Sequence, residues 1–115
     1  MRRYAVLRGV NVSRDFSRIR KHLIQSYQAF GDTKARATER ANSRTREAFE
    51  YMLTFATQPH RGTVHPELRD GVRHVTAQQF VYYFEIDDNR AEVRIITVFF
   101  GGEDHLEQIA ERLRE

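Results

Sequence analysis

The feature that most constrains this chain is a change of hydrophobic period near Pro59 and Gly62. Before that point the apolar residues recur every three or four positions; after it they alternate in short runs rich in β-branched and aromatic side chains. A 3.6-residue period commits the first half to amphipathic helices. A two-residue period commits the second half to strands. Proline cannot extend a helical hydrogen-bond ladder, so the boundary is chemically marked.

In the first half, Tyr4 to Leu7 reads as a short strand, with Asn11 and Ser13 as helix caps after it. Phe16, Ile19, Leu23, Tyr27 and Phe30 then share one helical face, and Gly31 stands where a helix ends in a left-handed residue. Asp32 and Thr33 offer a fresh cap for a second helix running to about Gln58, with Ala37, Ala41, Ala48, Phe49, Met52, Phe55 and Ala56 on its apolar side. The short connection makes the pair an antiparallel hairpin.

In the second half, Val72–Thr76, Phe80–Ile86 and Ala91–Phe100 form an antiparallel meander, joined by turns at Ala77-Gln78-Gln79 and Asp87-Asp88-Asn89-Arg90. The first strand is expected to pair at its side as a fourth. Gly101-Gly102 ends the last strand, and Glu103 to Arg114 reads as a terminal helix. The expected class is α+β, in the order β-α-α-β-β-β-α, as one domain over residues 1–115: a helical hairpin on a small antiparallel sheet, with a C-terminal helix. On the middle strand Phe80, Tyr82 and Phe84 share one face, while Val81, Tyr83 and Glu85 share the other. Both faces carry apolar residues, so the sheet needs cover on both sides. The hairpin supplies one, and something else is expected to cover the other.

Composition narrows the function classes. The chain has no cysteine, which excludes disulfide scaffolds, thiolate metal sites and cysteine nucleophiles. No phosphate-binding glycine motif occurs, and no carboxylate set with metal spacing accompanies His60 and His65. No metal, cofactor or small-molecule substrate is therefore expected. The N-terminal apolar run is cut off at Arg8, too early for a signal peptide or a membrane span, so the cytoplasm is the expected location. The net charge of +3 hides an asymmetry: residues 1–46 carry +9 and residues 47–115 carry −6. Arg36, Arg40 and Arg44 recur every four residues as a cationic ridge. Its ordinary reading is a solvated helix face; its functional reading is contact with an acidic partner. Phe99 and Phe100, on opposite faces at a strand end, are core residues by default and partner anchors otherwise.

The order Pro66-Glu67-Leu68-Arg69-Asp70-Gly71-Val72-Arg73, then Phe80-Val81-Tyr82-Tyr83-Phe84-Glu85-Ile86-Asp87, then Val93 to Phe100 leading into Gly101-Gly102-Glu103-Asp104-His105, resembles the RelE/ParE toxin superfamily of bacterial type II toxin–antitoxin modules. The second half carries the likeness in sequence; the first half matches in architecture. The resemblance implies a toxin silenced by a cognate antitoxin, a partner chain whose C-terminal segment would shield the second face of the sheet and whose acidic character would suit the basic hairpin. It also implies one of two targets: mRNA on the ribosome, cut by an endoribonuclease, or DNA gyrase, held without catalysis. A metal-free ribonuclease needs a base, an acid and cations for the phosphorane. The family's nuclease branch places basic residues on the first meander strand and at the exit of the last one. Here that strand has no lysine, and the exit is Phe100-Gly101-Gly102-Glu103. The remaining candidates are Arg73, His74, Arg94 and His105, with Arg73 alternatively paired to Glu85 across the strands. The pattern leans to the gyrase-directed branch.

Overall fold

The computed structural model describes residues 2–101 and 105–114; for His105 and Leu106 it describes the backbone alone. The elements follow in the order β1 (Ala5–Arg8), α1 (Val12–Ala29), α2 (Lys34–Leu53), β2 (Thr63–Val64), β3 (Val72–Ala77), β4 (Phe80–Asp87), β5 (Glu92–Phe100) and α3 (His105–Leu113). The sheet order is β1-β5-β4-β3-β2. β1 runs parallel to β5, and the other neighbours are antiparallel.

The α+β class and the element order are those expected from the sequence, with four local corrections. A two-residue strand, β2, pairs Thr63 with His74 and Val64 with Arg73; two residues are too few to show a period. α2 stops at Leu53, five residues before the expected end, and tightens into a 3-10 turn over Thr54–Ala56. Phe30 does not join the apolar face of α1, because it lies just past the helix and is 90% exposed. The β3–β4 turn is Gln78-Gln79 alone, with φ of 54° and 71°. Positive φ at both central residues is the two-residue hairpin geometry that matches strand twist, here adopted without glycine.

α1 and α2 pack on one face of the sheet. Ile19, Leu23, Ala41, Ala48, Met52 and Phe55 meet Phe80, Tyr82, Phe84, Val93, Ile95 and Val98. Fully buried side chains of this size contribute roughly 1.5–3 kcal/mol each. The alanines let α2 come close enough for the Tyr82 hydroxyl to donate to the Ala48 carbonyl at 3.0 Å. Thr33 caps α2 through its hydroxyl, which accepts from the Arg36 amide.

The second face is not left for a partner to shield. Val72, Val81, Tyr83, Ile96 and Phe99 are all buried there with Ile109 of α3, and Leu68 and Leu113 flank them. The chain's own terminal helix covers the apolar half of this face. A bulge helps: Tyr83 pairs with Thr97 and Phe84 with Ile95, so Ile96 is the extra residue on β5.

Candidate functional site

α3 is anchored where β5 bulges. Asp15, on α1, is only 4% exposed. Its carboxylate accepts from the Thr97 hydroxyl at 3.0 Å and from the Val98 amide at 3.2 Å. Arg112 of α3 closes a two-pronged pair on the same carboxylate at 2.9 and 3.0 Å, and also donates to the Ile96 carbonyl at 3.1 Å. A charge buried this deeply persists only when paired and hydrogen-bonded. The Asp15–Arg112 pair thus fixes which face α3 covers.

The cationic ridge exists as expected, but its three arginines differ in role. Asp32 holds both Arg36 and Arg40 at the start of α2. Arg36 stays 72% exposed, and the Arg40 guanidinium lies 3.9 Å from the centre of the Tyr27 ring. Arg44 is drawn inward. It donates to the Gln78 carbonyl at 2.8 Å and to the Gln79 side chain, and its guanidinium stands 5.1 Å from the Phe100 ring. The Gln79 carbonyl also accepts from the Gly101 amide at 2.8 Å. Arg44 therefore ties α2 to the positive-φ turn and to the exit of β5. Phe100, half-buried, packs edge-on to Phe80 at 5.1 Å and faces the His22 ring at 6.1 Å. Arg18 reaches the Val98 carbonyl beside it. This end of the sheet is an aromatic platform bordered by the cations of both helices. Phe99, in contrast, is 1% exposed beneath α3.

The catalytic candidates do not gather in one place. Arg73 lies opposite Phe84 and Arg94 opposite Glu85, on successive rungs of the ladder. Successive residues of a strand point to opposite faces, so the sheet separates the two guanidinium groups. Arg94 is exposed on the α3 side and borders a cavity of about 310 Å³ with Arg69, Glu85 and Arg112. The Glu85 partner is Arg69, at 2.9 Å, and not Arg73, because Val72 occupies the cross-strand position. The His105 side chain lies outside the described residues.

Sequence reasoning missed a second grouping. His65 Nε2 lies 2.5 Å from His74 Nδ1, and His65 Nδ1 lies 3.1 Å from Glu67 Oε1. The Tyr83 ring stands 5.4 Å from His74 and 5.8 Å from His65. Burial, and then the charge of Glu67, raise the pKa of the Tyr83 hydroxyl. The separation of His65 and His74 in sequence concealed the pair. It forms because the chain turns back between β2 and β3, pairing Thr63 with His74, and Gly62 ahead of β2 lies close on His74: its φ is +83°, and a Cβ there would stand 2.2 Å from the His74 carbonyl oxygen. A glycine before a short strand was the only available signal. A third polar knot joins Tyr4, Asp88 and His60: the phenol and the imidazole both meet one Asp88 oxygen, and these bonds, the phenol's first, lower the Asp88 pKa.

Among the described residues no group of three or more metal-ligating side chains converges, and no helix is long and apolar enough to cross a membrane. No protein-family model matches the chain, and no curated protein does. Solved structures do. The chain is similar in fold to one from the chromosomal ParDE TA system of P. aeruginosa, with a TM-score of 0.65 and 16% identity, over 85% of this chain and 96% of that one. It is likewise similar to a chain of the toxin-antitoxin complex RelBE2 of Mycobacterium tuberculosis, with a TM-score of 0.59 and 15% identity, over 90% and 97% of the two chains. The chain thus has the fold found in both systems.

Proposed function

We propose that this chain is the toxin of a cytoplasmic type II toxin–antitoxin module, neutralised by a cognate antitoxin, and that it arrests growth by gripping DNA gyrase and not by cutting RNA. The observation that carries the toxin reading is a fold shared with chains of two toxin–antitoxin systems over most of their length and most of this one. The preference for a protein target rests on Arg73 and Arg94, whose strand positions put them on opposite sides of the sheet. A phosphorane needs its cations, base and acid within one hydrogen-bonding shell, and this pair does not provide that. The partner surface is assigned to Arg36, Arg40, Arg44 and Phe100, where forked cations and an aromatic ring have the chemistry of interface anchors.

The mRNA-cleaving alternative has one observation in its favour, the two imidazoles beside Tyr83. Inducing the chain with and without a co-expressed candidate antitoxin separates the two. The gyrase reading expects arrest relieved by the antitoxin, inhibited supercoiling and intact transcripts. Transcript cuts mapped by primer extension, with supercoiling unaffected, would overturn it in favour of the nuclease. Harmless expression would overturn the toxin reading itself.

A further inference from the structure

The imidazole pair at the sheet edge carries an inference independent of the toxin reading. We infer that His65 and His74 form a binding site for a divalent transition ion of the zinc class, with Glu67 as the outer carboxylate that orients His65. Three features of the geometry support this. First, His65 Nε2 and His74 Nδ1 point at one another across 2.5 Å, with ring planes 33° apart. Even an N–H···O hydrogen bond ordinarily spans about 2.7–3.2 Å, so the two nitrogens are crowded around one point. Second, Glu67 Oε1 lies 3.1 Å from the other nitrogen of His65. A proton held there leaves the inner nitrogen with its lone pair directed at His74, and a carboxylate behind an imidazole is the usual support of a metal-bound histidine. Third, the backbone beneath the pair is fixed. Thr63 and His74 are paired across β2 and β3, and Gly62 packs on the His74 carbonyl.

The required adjustment is small. With metal–nitrogen bonds of about 2.0–2.1 Å and tetrahedral angles, the two nitrogens stand about 3.3 Å apart, so a modest turn of either ring opens the space. Among the described residues no third protein ligand joins the pair. Imidazole nitrogen ligands suit copper, nickel and zinc, and disfavour magnesium or calcium. The bound ion would bridge β3 to the loop leading out of β2, adding a side-chain link to the backbone pairing of that two-residue edge strand.

The test uses the full chain, with zinc chloride and nickel chloride as probes and magnesium chloride as control. Calorimetric titration is expected to show one zinc per chain, no response to magnesium, and a zinc-dependent rise in Tm reversed by a chelator. His65→Gln and His74→Gln should each weaken zinc binding by about tenfold or more. Glu67→Gln should weaken it by about 10- to 100-fold, as loss of an outer carboxylate does. His60→Gln, altering a histidine that bonds to Asp88 elsewhere, should bind as the parent does. Circular dichroism of each variant checks the fold, and cobalt absorption reports nitrogen ligation directly. Absence of zinc binding overturns the inference. So does binding that survives both glutamine replacements, or that falls equally in the His60 variant.

Discussion

Replacing Arg112 with Ala isolates the contact that decides where the terminal helix sits. Asp15 would keep the Thr97 hydroxyl and the Val98 amide but lose both guanidinium bonds, at 2.9 and 3.0 Å. Breaking a buried ion pair by removing one partner costs roughly 3–5 kcal/mol when the surviving charge is left uncompensated. Two points reduce that figure here. The Arg112 side chain is 20% exposed, so water can reach the vacated position, and two neutral donors remain on the carboxylate. The expected loss is therefore about 2–3 kcal/mol at neutral pH, or about 8–12 °C in Tm for a chain of this length. Urea unfolding of five proteins measures it: the parent, Arg112→Ala, and the cycle of Arg112→Leu, Asp15→Asn and the two combined. The double variant should recover much of the loss, because an apolar side chain facing an amide leaves no stranded charge. Amide exchange at Val81 and Phe99 should accelerate in Arg112→Ala alone, as α3 lifts from the face it covers. A coupling energy below about 0.5 kcal/mol would refute the reasoning. So would a double variant less stable than Arg112→Ala, since the pair would then not be what holds α3 in place.

Gly62→Ala should destabilise by about 2 kcal/mol or more, since it combines positive φ with a Cβ placed 2.2 Å from the His74 carbonyl. Gly31→Ala, at φ +109° with nothing within 4 Å, should cost only the backbone part, about 1–2 kcal/mol; chemical denaturation of the two variants separates crowding from strain. Tyr82→Phe removes a buried hydroxyl donor to Ala48 and should cost about 1 kcal/mol by the same assay. The Tyr82 pKa is raised by burial first, then by the charge of Tyr51. Its share of stability is thus fully present below the unfolded phenol pKa of about 10 and is lost as pH climbs past it toward the folded value. Unfolding free energy measured against alkaline pH should fall less steeply in Tyr82→Phe; an identical slope would contradict the assignment. Arg36→Glu with Arg40→Glu should leave stability within about 1 kcal/mol, the two side chains being exposed. On the proposed function, it should weaken capture of an antitoxin by tenfold or more in a binding titration.

The sequence alone determined the parts governed by local periodicity. The face shared by Ile19 and Leu23, the small residues Ala37, Ala41 and Ala48, and the alternation from Phe80 to Phe84 each specify one element and the side it buries. Helix and strand periods are properties of neighbouring residues, so a linear reading recovers them, and with them the α+β class and the element order. Contacts between residues far apart in the chain emerge only in three dimensions. Asp15 meets Arg112, His65 meets His74 across a return of the backbone, and Glu85 takes Arg69 in place of Arg73. The same holds for α3, whose apolar stripe was legible but whose resting place was not. Hydrophobic burial is non-directional, so the stripe alone names no surface. The face it covers was fixed by one buried carboxylate, which had to be matched by a charge of opposite sign.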